Sequence, residues 1–131
     1  MQFKSILFSA FCLLLTTAAC TKHNHDDDTD TTAPVLTITS PSENASLSGE
    51  VHIHGAVTDE SLHEMEIKVT KDADGSEIFK ATPTVHDKTD YSFDEHFTPV
   101  VNSETAVTLT ITVEDHSANI TTKTVKFVVK P

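Results

Sequence analysis

The sequence has 131 residues, 37% of them hydrophobic, which is enough to build one modest core. Twenty Asp and Glu stand against nine Lys and no Arg, for a formal net charge of -11. A surface this negative repels a phosphate backbone, so nucleic acid is excluded as a partner; it repels anionic headgroups equally, so membrane attachment must come from a lipid.

The first twenty residues set the compartment. Lys4 gives a short positive start, Ile6 to Leu15 is an apolar stretch, and Thr16-Thr17-Ala18-Ala19 is a small-residue run that ends at Cys20. The stretch is too short to cross a bilayer, which takes roughly 20 apolar residues, and the polar run from Thr21 prevents extension. Thr17-Ala18-Ala19-Cys20 resembles the bacterial lipoprotein signal, with Thr17 where Leu is usual. The resemblance implies that residues 1–19 are a cleaved signal peptide and that Cys20 is acylated and becomes the mature N-terminus. Cys12 would be lost with the leader and Cys20 consumed by the lipid, which leaves the domain without a thiol, a disulfide or a Cys-based zinc knuckle.

Residues 20–33 read as the lipidated Cys and a flexible tether. Thr21 to Pro34 contains no large apolar residue, so nothing there offsets the entropy of ordering. Lys22 followed by Asp26, Asp27 and Asp28 resembles the export address of surface lipoproteins in Bacteroidetes-type bacteria, which implies an outer-membrane location with display at the cell surface, the periplasmic face being the alternative.

From Val35 the pattern changes to period two. Val35 to Thr39 reads as a first strand, closed by the turn Pro41-Ser42-Glu43-Asn44. Val51, Ile53, Gly55 and Val57 alternate with His52, His54, Ala56 and Thr58, which predicts a strand with one apolar face and imidazoles on the other. Met65, Ile67 and Val69 alternate with Glu64, Glu66 and Lys68, and Asp74-Gly75 marks a hairpin turn. Glu77 to Val85 predicts an edge strand restricted by Pro83. Tyr91, Phe93 and Phe97 share a parity, with Glu95 in the same series at a bulge or rim. Val107 to Val113 alternates without a break, and Val125, Phe127 and Val129 complete a last strand. Residues 34–131 are therefore expected to form an all-β domain, a sandwich of about seven antiparallel strands.

The segment Val113-Glu114-Asp115-His116-Ser117-Ala118-Asn119-Ile120-Thr121 resembles the penultimate strand, turn and last strand of bacterial immunoglobulin-like repeats, with Ala118 where Gly is usual. Pro34-Val35 through Ser42 and the strand from Val51 to Thr58-Asp59 fit the same pattern. In particular the chain is similar to single-domain immunoglobulin-like lipoproteins of Bacteroidetes. That resemblance implies fold and location, and fold alone does not imply a function.

No G-x-S-x-G elbow, H-E-x-x-H helix or Gly-rich phosphate loop occurs, and the chain has only three Gly, so the expectation is a non-catalytic protein. Asp72-Ala73-Asp74-Gly75 echoes an EF-hand centre, but Thr70 and Ala81 would occupy its first and last ligand positions, which leaves a hairpin turn. Eight His in 131 residues are the compositional oddity. His52 and His54, two apart on a strand, point to one side and suit zinc or copper; His23 and His25 with Asp26, Asp27 and Asp28 form a second candidate set on the tether. Two functions follow: an anchored interaction module with a protein partner in the envelope and no cofactor, or a lipoprotein that binds zinc or copper.

Overall fold

The computed structural model describes residues 30–131, and no helix occurs among them. Its strands are β1 (Val35–Ser40), β2 (Ser46–Ser48), β3 (Val51–Thr58), β4 (Leu62–Lys71), β5 (Glu77–Ala81), β6 (Asp90–Phe97), β7 (Thr105–Asp115) and β8 (Ile120–Lys130). They form a three-stranded sheet in the order β1-β3-β6 and a five-stranded sheet in the order β2-β8-β7-β4-β5. After β1 the chain passes from the smaller sheet to the larger one, where β2 pairs parallel to β8; every other pair is antiparallel. The first strand divided between the two sheets, together with β6 returning beside β3, makes an immunoglobulin-like sandwich.

The expected fold class is borne out, with eight strands instead of about seven and one parallel pair. The period-two residues pack where their parity sends them. Leu36, Val51, Ile53, Val57, Ile67, Val69, Phe93, Val107, Leu109, Ile111, Val113, Phe127 and Val129 are all buried between the sheets. The predicted edge strand stops at Ala81 instead of reaching Val85, because Pro83 cannot donate to a ladder; Val85 enters the core from the following loop. Glu95 stands at a rim and not at a bulge, since β3 and β6 pair without interruption from Val51↔Phe97 to Thr58↔Asp90. Every described strand and the whole described core lie within residues 35–130.

One irregularity positions a side chain that matters below. Leu62 and Met65 are both buried although three residues apart, and the β4–β7 pairing slips between Leu62↔Asp115 and Glu64↔Glu114. His63 is the additional residue of this bulge, which turns its ring out of the alternation.

Three connections meet at one end of the sandwich: β3 to β4, β5 to β6, and β7 to β8. Backbone bonds lace them together, from Leu62 N to Lys88 O (2.9 Å), Asp87 N to Leu62 O (2.9 Å), Asp59 N to Thr89 O (3.0 Å) and His116 N to Ser61 O (3.0 Å). The chain enters at this same end. The Asn119 side-chain amide donates to the carbonyl oxygens of Asp30 (3.0 Å) and Thr32 (3.3 Å), so the domain takes hold of the chain ahead of Pro34.

Candidate metal centre

The laced end brings His63, His86 and His116 together, from the start of β4 and from the β5–β6 and β7–β8 connections. His63 comes from the bulge at the start of β4. His86 sits in the turn closed by Lys88 N on Val85 O (3.0 Å), with buried Val85 as its anchor and Asp87 in the left-handed region at φ 61°. His116 is in the β7–β8 turn. One ligand nitrogen from each of the three rings lies within 4.8 Å of the others, and the ring centroids are 4.5 to 5.1 Å apart.

The ring nitrogens are sorted by what they face. Nδ1 of His63 and Nδ1 of His86 are 3.2 Å apart, so one carries the hydrogen and the other accepts it. Each Nε2 has a carboxylate neighbour: His116 with Asp87 (3.0 Å), His86 with Asp87 (3.7 Å) and His63 with Glu64 (3.9 Å). At 3.0 Å, Asp87 fixes the orientation of the His116 ring and makes its near nitrogen a better donor to a metal, while the longer contacts of His86 and His63 leave those rings less constrained. With its Nε2 on Asp87, His116 has Nδ1 left as its ligand atom.

His63 and His86 also line a cleft of about 380 Å³ with Glu64, Glu66, Thr84 and Glu114. Lys80 hydrogen-bonds to Glu66 and, with Lys68, holds that carboxyl below the usual carboxylate range. Glu66 is therefore balanced by two lysines. Glu64 and Glu114 make the approach attractive to cations.

The turn that presents His116 is built on Asp115, whose side chain is 2% exposed. Burial raises the Asp115 pKa, but the side-chain amide and backbone N–H of Asn119 and the backbone N–H of Ser117 more than offset this, and the net shift is downward. Asp115 Oδ1 accepts from Ser117 N (2.8 Å) and Asn119 N (2.8 Å), and Oδ2 accepts from Asn119 Nδ2 (2.7 Å). A carboxyl lowered on folding contributes its stability above the ordinary carboxylate pKa and loses it as pH falls through the lowered value. Asp30 and Asp59 approach Asp115, but Asp59 Oδ1 is engaged by Ser61 N (2.9 Å), and these groups are accounted for as turn-holding residues.

The second His group stands on the outer face of the smaller sheet. His52 and His54 lie on the same side of β3, and across the ladder they face His96 and Asp94 of β6. His54 Nε2 is 2.9 Å from Asp94 Oδ1, and one ligand atom from each of His52, His54 and Asp94 lies within 4.8 Å of the others. Asp72 and Asp74, from the EF-hand echo, are engaged elsewhere: Asp72 accepts from Thr108 Oγ1 (2.6 Å) and Asp74 from Ser76 N (2.9 Å), beside Gly75 at φ 71°. Cys20, His23, His25, Asp26, Asp27 and Asp28 lie outside the described residues.

Neither a family model nor a curated protein matches this sequence. Among solved structures it is similar to an engineered protein, with 17% identity and a TM-score of 0.55 over 75% of this chain and 20% of that one, so it spans about a fifth of that protein's length. It is also similar to CopC from Methylosinus trichosporium OB3b (14% identity, TM-score 0.49, 75% of this chain and 94% of that one). A third similarity is to murine CRIg (13% identity, TM-score 0.44, 76% and 98%). At such identities a likeness concerns the fold alone.

Proposed function

We propose that this chain is a non-catalytic lipoprotein, anchored at the outer membrane through Cys20, whose immunoglobulin-like domain binds one zinc or copper(II) ion at His63, His86 and His116. The convergence of three imidazoles, from the start of β4 and from two separate connections, with Asp87 3.0 Å from the outer nitrogen of His116, carries the reading. Three imidazole nitrogens suit zinc and copper and leave a coordination position for water or a partner's ligand. The apolar core includes none of the three histidines, so the metal is cargo and not a structural staple. The side chains of His63 and His116 are each 36% exposed and that of His86 is 53% exposed, a degree of openness that favours capture and release.

Calorimetric titration of copper(II) and zinc into the soluble chain from Thr21, and into one from Asp30, tests the proposal. Equal binding of micromolar strength or tighter in both chains is expected, with copper-nitrogen couplings from three imidazoles in the electron paramagnetic resonance spectrum. Binding by the longer chain alone would move the ion to the residues before Asp30. No binding by either would leave an anchored interaction module with a protein partner. The anchor is tested separately: Cys20→Ser is expected to move the full-length protein from the membrane fraction to the soluble fraction, and unchanged membrane association would refute lipidation at Cys20.

A further inference from the structure

We infer that the outer face of the three-stranded sheet holds a second, chemically distinct metal site, formed by His52, His54 and Asp94, which takes a divalent ion of the zinc or copper type. It shares no residue with the centre at the laced end and does not depend on it.

The argument starts from register. Period two places His52 and His54 side by side on β3, and the uninterrupted β3–β6 pairing sets His96 opposite His52 and Asp94 opposite His54. Four ligand-bearing side chains thus occupy neighbouring positions on two adjacent strands. Glu50, just before β3, completes the set: its carboxylate oxygens lie 3.4 Å from His52 Nε2 and 3.9 Å from His96 Nε2. The His52 ring centroid is 5.8 Å from that of His54 and 5.9 Å from that of His96.

The donor set, two imidazoles and one carboxylate within 4.8 Å, is one that zinc and copper(II) both accept, and His96 and Glu50 stand within reach as replacement or outer ligands. The backbone is fixed from both sides. β6 pairs along one edge of β3, and on the other edge Ser40 Oγ donates to His52 O at 2.9 Å. Sites on strands are held more tightly than sites on loops. The competing account is a cross-strand pair between protonated His54 and Asp94, which would need neither His52 nor a metal. The side chains of His52 and His54 are 52% and 46% exposed, so an ion can reach them. Mixed nitrogen and oxygen donors distinguish this site spectroscopically from the three-imidazole centre.

The test uses the soluble chain from Thr21 in two backgrounds. With His63→Ala and His116→Ala together, one copper(II) ion per chain is still expected to bind, with couplings from two imidazoles. Adding either His54→Ala or Asp94→Ala to that background should weaken the remaining binding about a hundredfold, with unchanged circular dichroism. His54→Ala alone should leave the three-imidazole spectrum intact. If the doubly substituted background binds nothing, or if its binding is indifferent to His54→Ala, the second site is overturned. A parent ion lost with His63 and His116 but kept without His54 leaves only the first centre standing. The reverse pattern leaves only the second.

Discussion

Alanine at His63 and His116 together is expected to weaken copper(II) and zinc binding at the laced end about a thousandfold, with the fold intact. Structural zinc bound by four ligands is worth about 10–16 kcal/mol, which is roughly 3–4 kcal/mol for each donor. Losing two of three donors removes more than the ~4 kcal/mol that a thousandfold represents, and a water ligand recovers part of it. Neither ring fills the core, so the loss should appear in affinity and not in the unfolding of the metal-free protein. Asp87→Asn tests the outer carboxylate that faces both His116 and His86; it should weaken binding by about tenfold through ring orientation. Metal and proton compete for the same lone pair, so binding by the parent should be weaker at pH 5.5 than at pH 7.5 and recover on return. Competition titration against a chelator of known affinity, at pH 7.5 and pH 5.5, measures all three effects. If the double variant holds metal at the second site only, the difference between the two chains isolates the first.

The strands themselves were legible because their chemistry is local. A run such as Val107 to Val113 carries its own alternation, and the buried residues of β7 follow it. β2 escaped notice because Ser46–Ser48 holds a single apolar residue, and its only pairing is a parallel one to a strand at the far end of the chain. The same division separates the two His groups. His52 and His54 are neighbours on one strand, so their common side follows from period two. Asp94 and His96 join them only once β6 is known to return beside β3, which depends on the order of strands in the sheet and not on spacing along the chain. His63, His86 and His116 are further from any local signal. Their meeting depends on a bulge, on a turn anchored by buried Val85, and on backbone bonds between connections remote in sequence. The hints in the sequence were the eight His themselves and the turn motif, in which Asp115 and Asn119 organise the loop that carries His116.

Gly55→Ala should destabilise the domain by about 3 kcal/mol, enough to lower the melting temperature by about 15 °C in a domain of this size. Gly55 lies in the interior of β3, where a residue without a side chain ordinarily weakens a strand. Here the missing side chain makes room. Phe93, its cross-strand partner on β6, lays its ring over the glycine, and the carbonyl of Thr37 on β1 closes the space from the other side. A methyl group built at Gly55 would stand 2.2 Å from the Thr37 oxygen and 2.3 Å from Phe93 Cζ, both far inside contact distance. The ring could turn aside, but the carbonyl belongs to the backbone of a paired strand, and β1 would have to shift as a unit. Shortening the ring with Phe93→Leu in the Gly55→Ala chain should therefore restore only part of the loss, because the Thr37 contact remains. Gly49→Ala is the control: no atom comes within 4 Å of its added methyl, and only its positive φ of 75° counts against it, at about 1 kcal/mol. Urea unfolding of the four chains separates these effects. Equal stability of Gly55→Ala and the parent would mean that β1 is not held against β3 at Thr37 as described. Any displacement of β3 also moves His52 and His54, so metal binding on the smaller sheet should weaken in the Gly55→Ala chain.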